Sequence, residues 1–302
     1  MATLKGKNFR ILIYNDTAAK YKVIGMATNC VVTLTNNTEN ADHKDVIGLA
    51  SMPTVTTKGF SVSVDSLNVV DIASLLTVIK SMSPVTLMWD ETSTDDNQTP
   101  EGATFARQGQ AYLSDITIQC NDRTNSTKAL QFTGTGPLET VSSVEISEVT
   151  PTAFTKGQFV RLYLSSDNTA APAAVIAAAR TLSFHVSLSL EDATTKDTTG
   201  DWDVKEPTEL SYDISTSALV RSGETITSQV AAKGLADLES IYQAGTPVKW
   251  KVANTSGANN RTAGPTIASG SVVLTQLTIN GPLGTADYTA QMNGYGPFNV
   301  GS

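Results

Sequence analysis

The chain has 302 residues, with charged residues sparse at 17%, aromatics at 6% and a net charge of −8. Residues 1–145 carry 11 Lys+Arg against 15 Asp+Glu, and residues 146–302 carry 10 against 14, so each half contributes −4. That balance excludes a conventional nucleic-acid binder that neutralises phosphates, and no run of ~18 apolar residues offers a membrane-spanning helix.

Abundant Thr, Ser and aliphatic residues point to a mainly β protein with polar loops. The start, Met1-Ala2-Thr3-Leu4-Lys5-Gly6-Lys7, lacks the apolar stretch of a secretory signal, so the expectation is a chain made in a cytoplasm. The two cysteines, Cys30 and Cys120, fall in strand-like runs. They read as small buried apolar residues, a disulfide being the alternative.

Taken in order, the chain performs one pattern twice. Lys5-Gly6 and Arg10 in the run Phe9–Tyr14 match Lys156-Gly157 and Arg161 in the run Phe159–Leu164 at an offset of 151. Ile24-Gly25-Met26-Ala27, followed by alternating Cys30, Val32 and Leu34, matches Ile176–Ala179 followed by Leu182, Phe184 and Val186, now at 152. Period-2 alternation marks a half-buried strand. The match runs on through Glu39/Glu191 to Lys44-Asp45 and Lys196-Asp197. Loops follow over about Val46–Thr57 and Thr198–Pro207, long enough to be functional or interfacial. The next strand, Phe60–Val64, aligns with Leu210–Ile214 at 150.

A helix is expected from Asp71, a candidate N-cap, to Met82, with Ile72, Leu75, Leu76 and Ile79 on one face. Its second copy, Leu235–Tyr242, offers Leu235, Leu238, Ile241 and Tyr242. Strands Ser83–Trp89 and Thr246–Val252 come next, then polar loops over Asp90–Gln108 and Ala253–Ser269. A Gly-led strand closes each loop, Gly109–Ile118 and Gly270–Ile279. Each half ends on a strand with Gly-x-Gly-Pro-apolar: Leu130–Leu138 and Ala290–Phe298. Glycine there permits φ > 0 or close backbone approach, and proline ends the ladder.

The organisation read from this repeat is a domain at 1–140, a linker at 141–155 and a second domain at 156–302. Each domain is a β-sandwich or partly closed barrel with one short flanking helix. An insertion near Ser215–Lys233 separates the later offsets from the earlier ones.

Catalytic chemistry finds no foothold. His43 and His185 belong to no nucleophile motif. Gly134-Thr135-Gly136-Pro137 lacks the third glycine and following helix of a dinucleotide fingerprint. Asp90, Glu91, Asp95 and Asp96 lack the Asp/Asn-Gly spacing of a calcium loop and read as a solvated acidic loop. Neither an enzyme nor a cofactor or metal site is expected.

The order of these motifs resembles the major tail tube proteins of long-tailed bacteriophages. The resembling features are the alternating strand ending in Glu39…Lys44-Asp45 and Glu191…Lys196-Asp197, the Gly-led strands, and the closing Gly-x-Gly-Pro strands. The second half resembles the family best, through Trp202 after Lys196-Asp197; the first half has no Trp there. The resemblance implies a virion tail component assembled in the host cytoplasm. Its tube domains form six-membered rings that stack into a conduit for DNA. For a duplicated chain it implies a trimer presenting a pseudo-hexameric ring. Tape-measure, tail-tip and terminator proteins are the implied partners, with DNA passing unbound and no membrane contact. Glu39, Lys44, Asp45, Glu191, Lys196, Asp197 and Trp202 are the candidate contacts between subunits or rings. The alternatives are the tube of a secretion or contractile-injection apparatus, or a tandem β-sandwich adhesin, which would carry a secretory signal and an aromatic-lined face.

Overall fold

The computed structural model describes residues 6–15, 20–41, 51–67, 72–91, 107–141, 155–198, 200–220, 231–256 and 262–301. Lys44, Asp45, His43, the Asp71 cap, the whole of the 92–106 loop, and nearly all of the 141–155 joining segment lie outside the described residues.

The first half contributes β1 (Phe9–Asn15), β2 (Lys20–Val23), β3 (Ala27–Asn40), β4 (Pro53–Ser66), α1 (Ile72–Ser81), β5 (Val85–Glu91), β6 (Arg107–Asn121) and β7 (Thr127–Thr140). The second contributes β8 (Val160–Leu164), β9 (Ala174–Ile176), β10 (Ala179–Asp192), β11 (Lys205–Leu219), β12 (Ala232–Lys233), α2 (Leu235–Ala244), β13 (Val248–Ser256), β14 (Thr262–Asn280), β15 (Asp287–Gly294) and β16 (Asn299–Val300). Strands pair in the order β2-β1-β5-β6-β7-β4-β3 in the first half and β9-β8-β13-β14-β15-β11-β10 in the second. The two orders are the same, and β12 and β16 are additions to the second half. The protein is mainly β, a sandwich with flanking helices whose large sheet does not close.

Irregularities repeat as faithfully as the strands do. Met26 and Ala178, 152 residues apart, both take positive φ (54° and 50°). Each carbonyl there accepts from the backbone N–H of the matching leucine, Leu67 or Leu219. Twin bulges interrupt β6 between Leu113 and Asp115 and β14 between Leu274 and Gln276. The extra residue is Ser114 or Thr275, whose hydroxyl donates to the carbonyl of Gln131 or Gln291 at 3.1 Å in each copy. A bulge bends its strand and strengthens the local twist. Here the bend lets β6 and β14 leave one layer and enter the other.

The closing motif divides its labour between its two glycines. A Cβ on Gly134 would lie 2.4 Å from the Phe60 ring, and one on Gly294 would lie 2.6 Å from the Tyr212 ring. Gly136 and Gly296 are free of such crowding but hold φ of 74° and 70°. The first glycine therefore makes room for an aromatic of the middle strand, and the second makes the turn.

That crowding corrects the alignment of the middle strand. Phe60 corresponds to Tyr212, at an offset of 152, since Leu34 faces Phe60 and Val186 faces Tyr212. The sequence offset of 150 paired Phe60 with Leu210, because alternating apolar residues leave a two-residue slip invisible. Strand ends also differ from expectation. β4 begins at Pro53, β11 at Lys205, β6 at Arg107 and β14 at Thr262, so the expected loops are shorter. The start of β4, from Pro53 to Thr56, is exposed on both faces and carries no alternation of burial. Asp90 is buried at the end of β5, opposite Arg10 of β1, and is not part of a solvated loop.

Helix α1 buries Ile72, Leu75, Leu76 and Ile79 as its pattern requires. In α2 Leu238 and Ile241 are buried, whereas Tyr242 is 51% exposed. Gly245 ends α2 in a left-handed conformation (φ 61°). Both cysteines are free thiols. Cys120 is buried, and burial pushes its thiol up to about 11, opposed in part by a hydrogen bond with Ser126.

Substitution separates the two glycine roles. Gly134→Ala is expected to cost about 2–3 kcal/mol through overpacking against Phe60, and Gly136→Ala about 1 kcal/mol through its φ. Denaturant midpoints at constant m-value measure both; equal costs would contradict the assignment.

Candidate assembly interface

The two halves are joined by a strand pair. On one side β6 pairs along its length with β7; on the other, its first part pairs with β5 and its last part with β10 of the second half. The join is antiparallel, from Thr181 opposite Asn121 through His185 opposite Thr117 to Ser187 opposite Asp115. Eight strands thereby form one continuous antiparallel sheet, β3-β4-β7-β6-β10-β11-β15-β14. Ile116, Ile118 and Cys120 on β6, and Leu182, Phe184 and Val186 on β10, are buried behind it.

At the ends of this sheet the same two strand surfaces recur unpaired. β3 is the counterpart of β10, and among the described residues it pairs only with β4. The last part of β14 is the counterpart of the last part of β6, and on that side Gln276–Asn280 has no strand neighbour among the described residues. The side chains show the difference. Val186 is fully buried while its counterpart Leu34 is 64% exposed; Ile118 is 2% exposed while Ile279 is 50% exposed. Seven of the nine large apolar residues exposed among the described ones (Val31, Leu34, Met52, Tyr242, Ile279, Leu283 and Tyr295) are counterparts of residues at or beside the internal join, or adjoin such counterparts.

The remaining edges are guarded and these two are not. β2 is four residues long and carries Lys22, and β12 has only two residues. Short length and lysine are common protections of an edge strand. β3 runs for 14 residues with no lysine or arginine, and Gln276–Asn280 has neither. A long edge without these protections presents unpaired backbone groups to which another strand can pair.

A second contact crosses the join. Residues 201–205, which lead into β11, lie over β4 and β7. Trp202 bridges to Lys58 in parallel register. The Asp203 N–H donates to the Lys58 carbonyl (2.9 Å), and the Asp203 carbonyl accepts from the Gly136 N–H (2.8 Å). The Lys205 N–H donates to the Thr135 hydroxyl at 3.0 Å, and Lys58 Nζ lies 3.3 Å from Asp201. A third contact is Gly157, where a Cβ would fall 2.1 Å from the Asn121 carbonyl oxygen; at its counterpart Gly6 no described residue lies within 4 Å. The Lys-Gly match of the sequence thus marks a contact made at the join and vacant at the chain's outer end.

The expected contact residues that are described, Glu39, Glu191, Lys196, Asp197 and Trp202, lie on or beside β3, β10 and β11. Glu39 is exposed on β3 opposite Thr54, and Glu191 is exposed on β10 opposite Glu206. Lys196 and Asp197 sit in the exposed turn beyond β10. Trp202 is half-buried against the first half of its own chain, so this part of the loop reaches sideways. Sequence reasoning missed the pairing of β6 with β10. A signal was present: Asp115, His185 and Asp213 are replaced together by Gln276, Thr33 and Ser61 at the counterpart positions.

Those three residues form the polar centre of the join. His185 Nε2 lies 2.5 Å from Asp115 Oδ2, and Nδ1 lies 2.7 Å from Asp213 Oδ1. A doubly protonated imidazolium donates to both carboxylates. Burial lowers the His185 pKa, but the hydrogen bonds to Asp115 and Asp213 and their charges outweigh it, and the net shift is upward. Around this triad the solvent face of the eight-stranded sheet is made of Ser, Thr, Asn and Gln. Examples are Ser63, Thr117, Gln131, Ser183, Ser215 and Gln291, with no lysine or arginine between Asn29 and Thr35, Asp115 and Asn121, or Thr181 and Ser187.

No family model and no curated protein matches the chain. Solved structures to which it is similar are the tail of an empty gene transfer agent particle with C6 symmetry, the virion of a native gene transfer agent particle and the SPP1 tail tube. Sequence identities are 17%, 18% and 14%, with TM-scores of 0.36, 0.35 and 0.34. The matches cover 48%, 49% and 48% of this chain and 95%, 99% and 78% of those chains.

The triad gives the join a pH signature. A raised folded-state pKa means that the stabilisation is complete below the unfolded histidine value of ~6.5. It is lost as pH rises through the higher folded value. The stability advantage of the wild type over His185→Gln is therefore expected to be greatest near pH 6 and to shrink steadily toward alkaline pH. Urea titrations at a series of pH values measure it; an advantage that grows above pH 7 would contradict the triad.

Proposed function

We propose that this protein is the building block of a tail tube: three copies close into a ring of six β units, and rings stack into a conduit through which DNA leaves the particle. The observation that carries the reading is the mismatch between the paired internal join and the two unpaired surfaces that repeat it at opposite ends of one sheet. A surface and its complement on opposite ends of one chain make a head-to-tail contact, which generates a ring when the rotation closes. Each chain would add eight strands to a continuous wall. The motif resemblance supplies the number six for the units, and therefore three for the chains.

The character of the wall supports a conduit for a polyanion. Its solvent face is hydroxyl-rich, and its charged groups include Asp65, Asp115 and Asp213. Phosphate binding is driven by Lys and Arg, so a wall of this kind lets DNA slide. Before ejection the same lumen would hold a tape-measure protein, and the ends of the stack would meet tail-tip and terminator proteins. Assembly in the host cytoplasm and residence in the virion tail complete the reading. The residues Glu39, Lys44, Asp45, Glu191, Lys196 and Asp197 are proposed to serve contacts between subunits or stacked rings; of these, Glu39, Glu191, Lys196 and Asp197 are exposed.

In the ring, Thr33 of one chain faces Thr278 of the next, as His185 faces Thr117 within the chain. Seven strand steps of ~4.8 Å separate β3 from β14 along the sheet of one chain, roughly 34 Å, so a disulfide at these positions must join different chains. The double variant Thr33→Cys/Thr278→Cys is expected to oxidise to a closed three-chain species with no free engineered thiol and a central hole in negative-stain micrographs. A species closing at two chains, or a protein that stays monomeric at high concentration under oxidation, would contradict the ring.

A further inference from the structure

The second half has an open groove where the first half has a filled one. In the first half, β4 and β7 around Lys58, Gly59 and Gly136 hold residues 201–205 of the second half. The counterpart surface is a concavity lined by Leu210, Ser211, Asn293, Gly294, Gly296 and Pro297, with Met82, the residue after α1, also lining it. The counterpart of the filling segment is Ser51-Met52-Pro53, which leads into β4 as Asp203-Val204-Lys205 leads into β11. Ser51 and Met52 are exposed, Met52 at 47%.

We infer that the Leu210–Gly296 groove is the docking site for residues 51–53 of the neighbouring copy of this chain. The assignment rests on ring formation and deepens it, adding a clasp to the strand joint. The Ser51 N–H donates to the Leu210 carbonyl and the Ser51 carbonyl accepts from the Gly296 N–H, as Asp203 does with Lys58 and Gly136. Chemistry at the neighbouring positions is matched in both its presence and its absence. Lys205 donates its backbone N–H to the Thr135 hydroxyl. Pro53, in the place of Lys205, has no N–H, and Tyr295, in the place of Thr135, has no aliphatic hydroxyl, so the bond disappears with both partners and leaves neither group unsatisfied. The Asp203 carboxylate, with Asn37 at 3.5 Å and Lys205 at 3.8 Å, is replaced by neutral Ser51 facing Ser189 and Pro53. Direction agrees as well. The two exposed edges require the neighbour's β3 beside β14, and the β3/β4 hairpin then crosses toward β15 and β11, as the β10/β11 hairpin crosses toward β7 and β4.

The test uses two proteins with one engineered cysteine each, so that linkage between the engineered positions can form only between chains. Asp203 Oδ2 lies 3.3 Å from the position a Cβ would take on Gly59, and the counterpart pair is Ser51 and Ser211. Tagged Ser51→Cys and untagged Ser211→Cys are mixed, assembled and oxidised, with each variant alone and a Ser51→Cys/Ser217→Cys mixture as controls. A linked heterodimer at least tenfold more abundant with Ser211→Cys than with Ser217→Cys is expected. Equal yields overturn the docking. Linkage at Thr33/Thr278 without linkage at Ser51/Ser211 overturns the clasp and leaves the ring. Linkage at neither overturns both.

Discussion

The pairing of β6 with β10 is the contact on which the rest of the molecule depends. It turns two four-stranded sheets into one of eight strands and buries the apolar edges behind it. It also fixes the orientation in which the β10/β11 hairpin can reach back over β7 and β4. Everything at the join is asymmetric: one unit offers the end of a bent strand, and the other offers the flank of a long hairpin. An asymmetric join between two copies of one unit leaves an unused half at each end of the chain. The exposed Leu34 and Ile279 are the visible result, and covering side chains of this size contributes about 1.5–3 kcal/mol each when burial is complete.

The internal join and the outer surfaces differ in one systematic way. Inside the chain the polar centre is Asp115, His185 and Asp213, and the crossing loop brings Asp201 and Asp203 to Lys58 and Lys205. At the outer surfaces the corresponding residues are Gln276, Thr33 and Ser61, with Ser51, Leu210 and Pro53. The charged set belongs to a contact made once, when the chain folds. A neutral set suits a contact made between chains, because hydroxyls and amides hold their hydrogen bonds across a wide range of pH and salt, whereas exposed ion pairs are screened.

Much of this architecture was legible in the sequence because duplication prints each structural requirement twice. The Gly-x-Gly-Pro strands, the Gly-led strands and the α1 stripe all recur for reasons the structure supplies: room for Phe60 or Tyr212, a turn at positive φ, and an apolar face on the sheet. The middle-strand register was not legible, because sliding Phe60 from Tyr212 to Leu210 preserves every in/out alternation. Tyr242 was misplaced for a related reason: helical spacing puts it on a stripe with Leu238, but the sheet beneath α2 covers only part of that stripe. The join itself was hidden because strand pairing between units is carried by backbone groups, which every residue has. Only the joint replacement of Asp115, His185 and Asp213 recorded it, and nothing in composition or periodicity singles out three positions on three strands.

Hydrogen–deuterium exchange on the unassembled and the assembled protein tests most directly the claim that the outer surfaces repeat the join. Amides of residues 115–121 and 181–187 are paired within the chain and are protected in both forms. The account predicts that assembly adds protection at residues 29–35 and 276–280, together and in proportion to ring formation. Assembly that leaves those two strands exchanging freely, with new protection placed elsewhere, would contradict it.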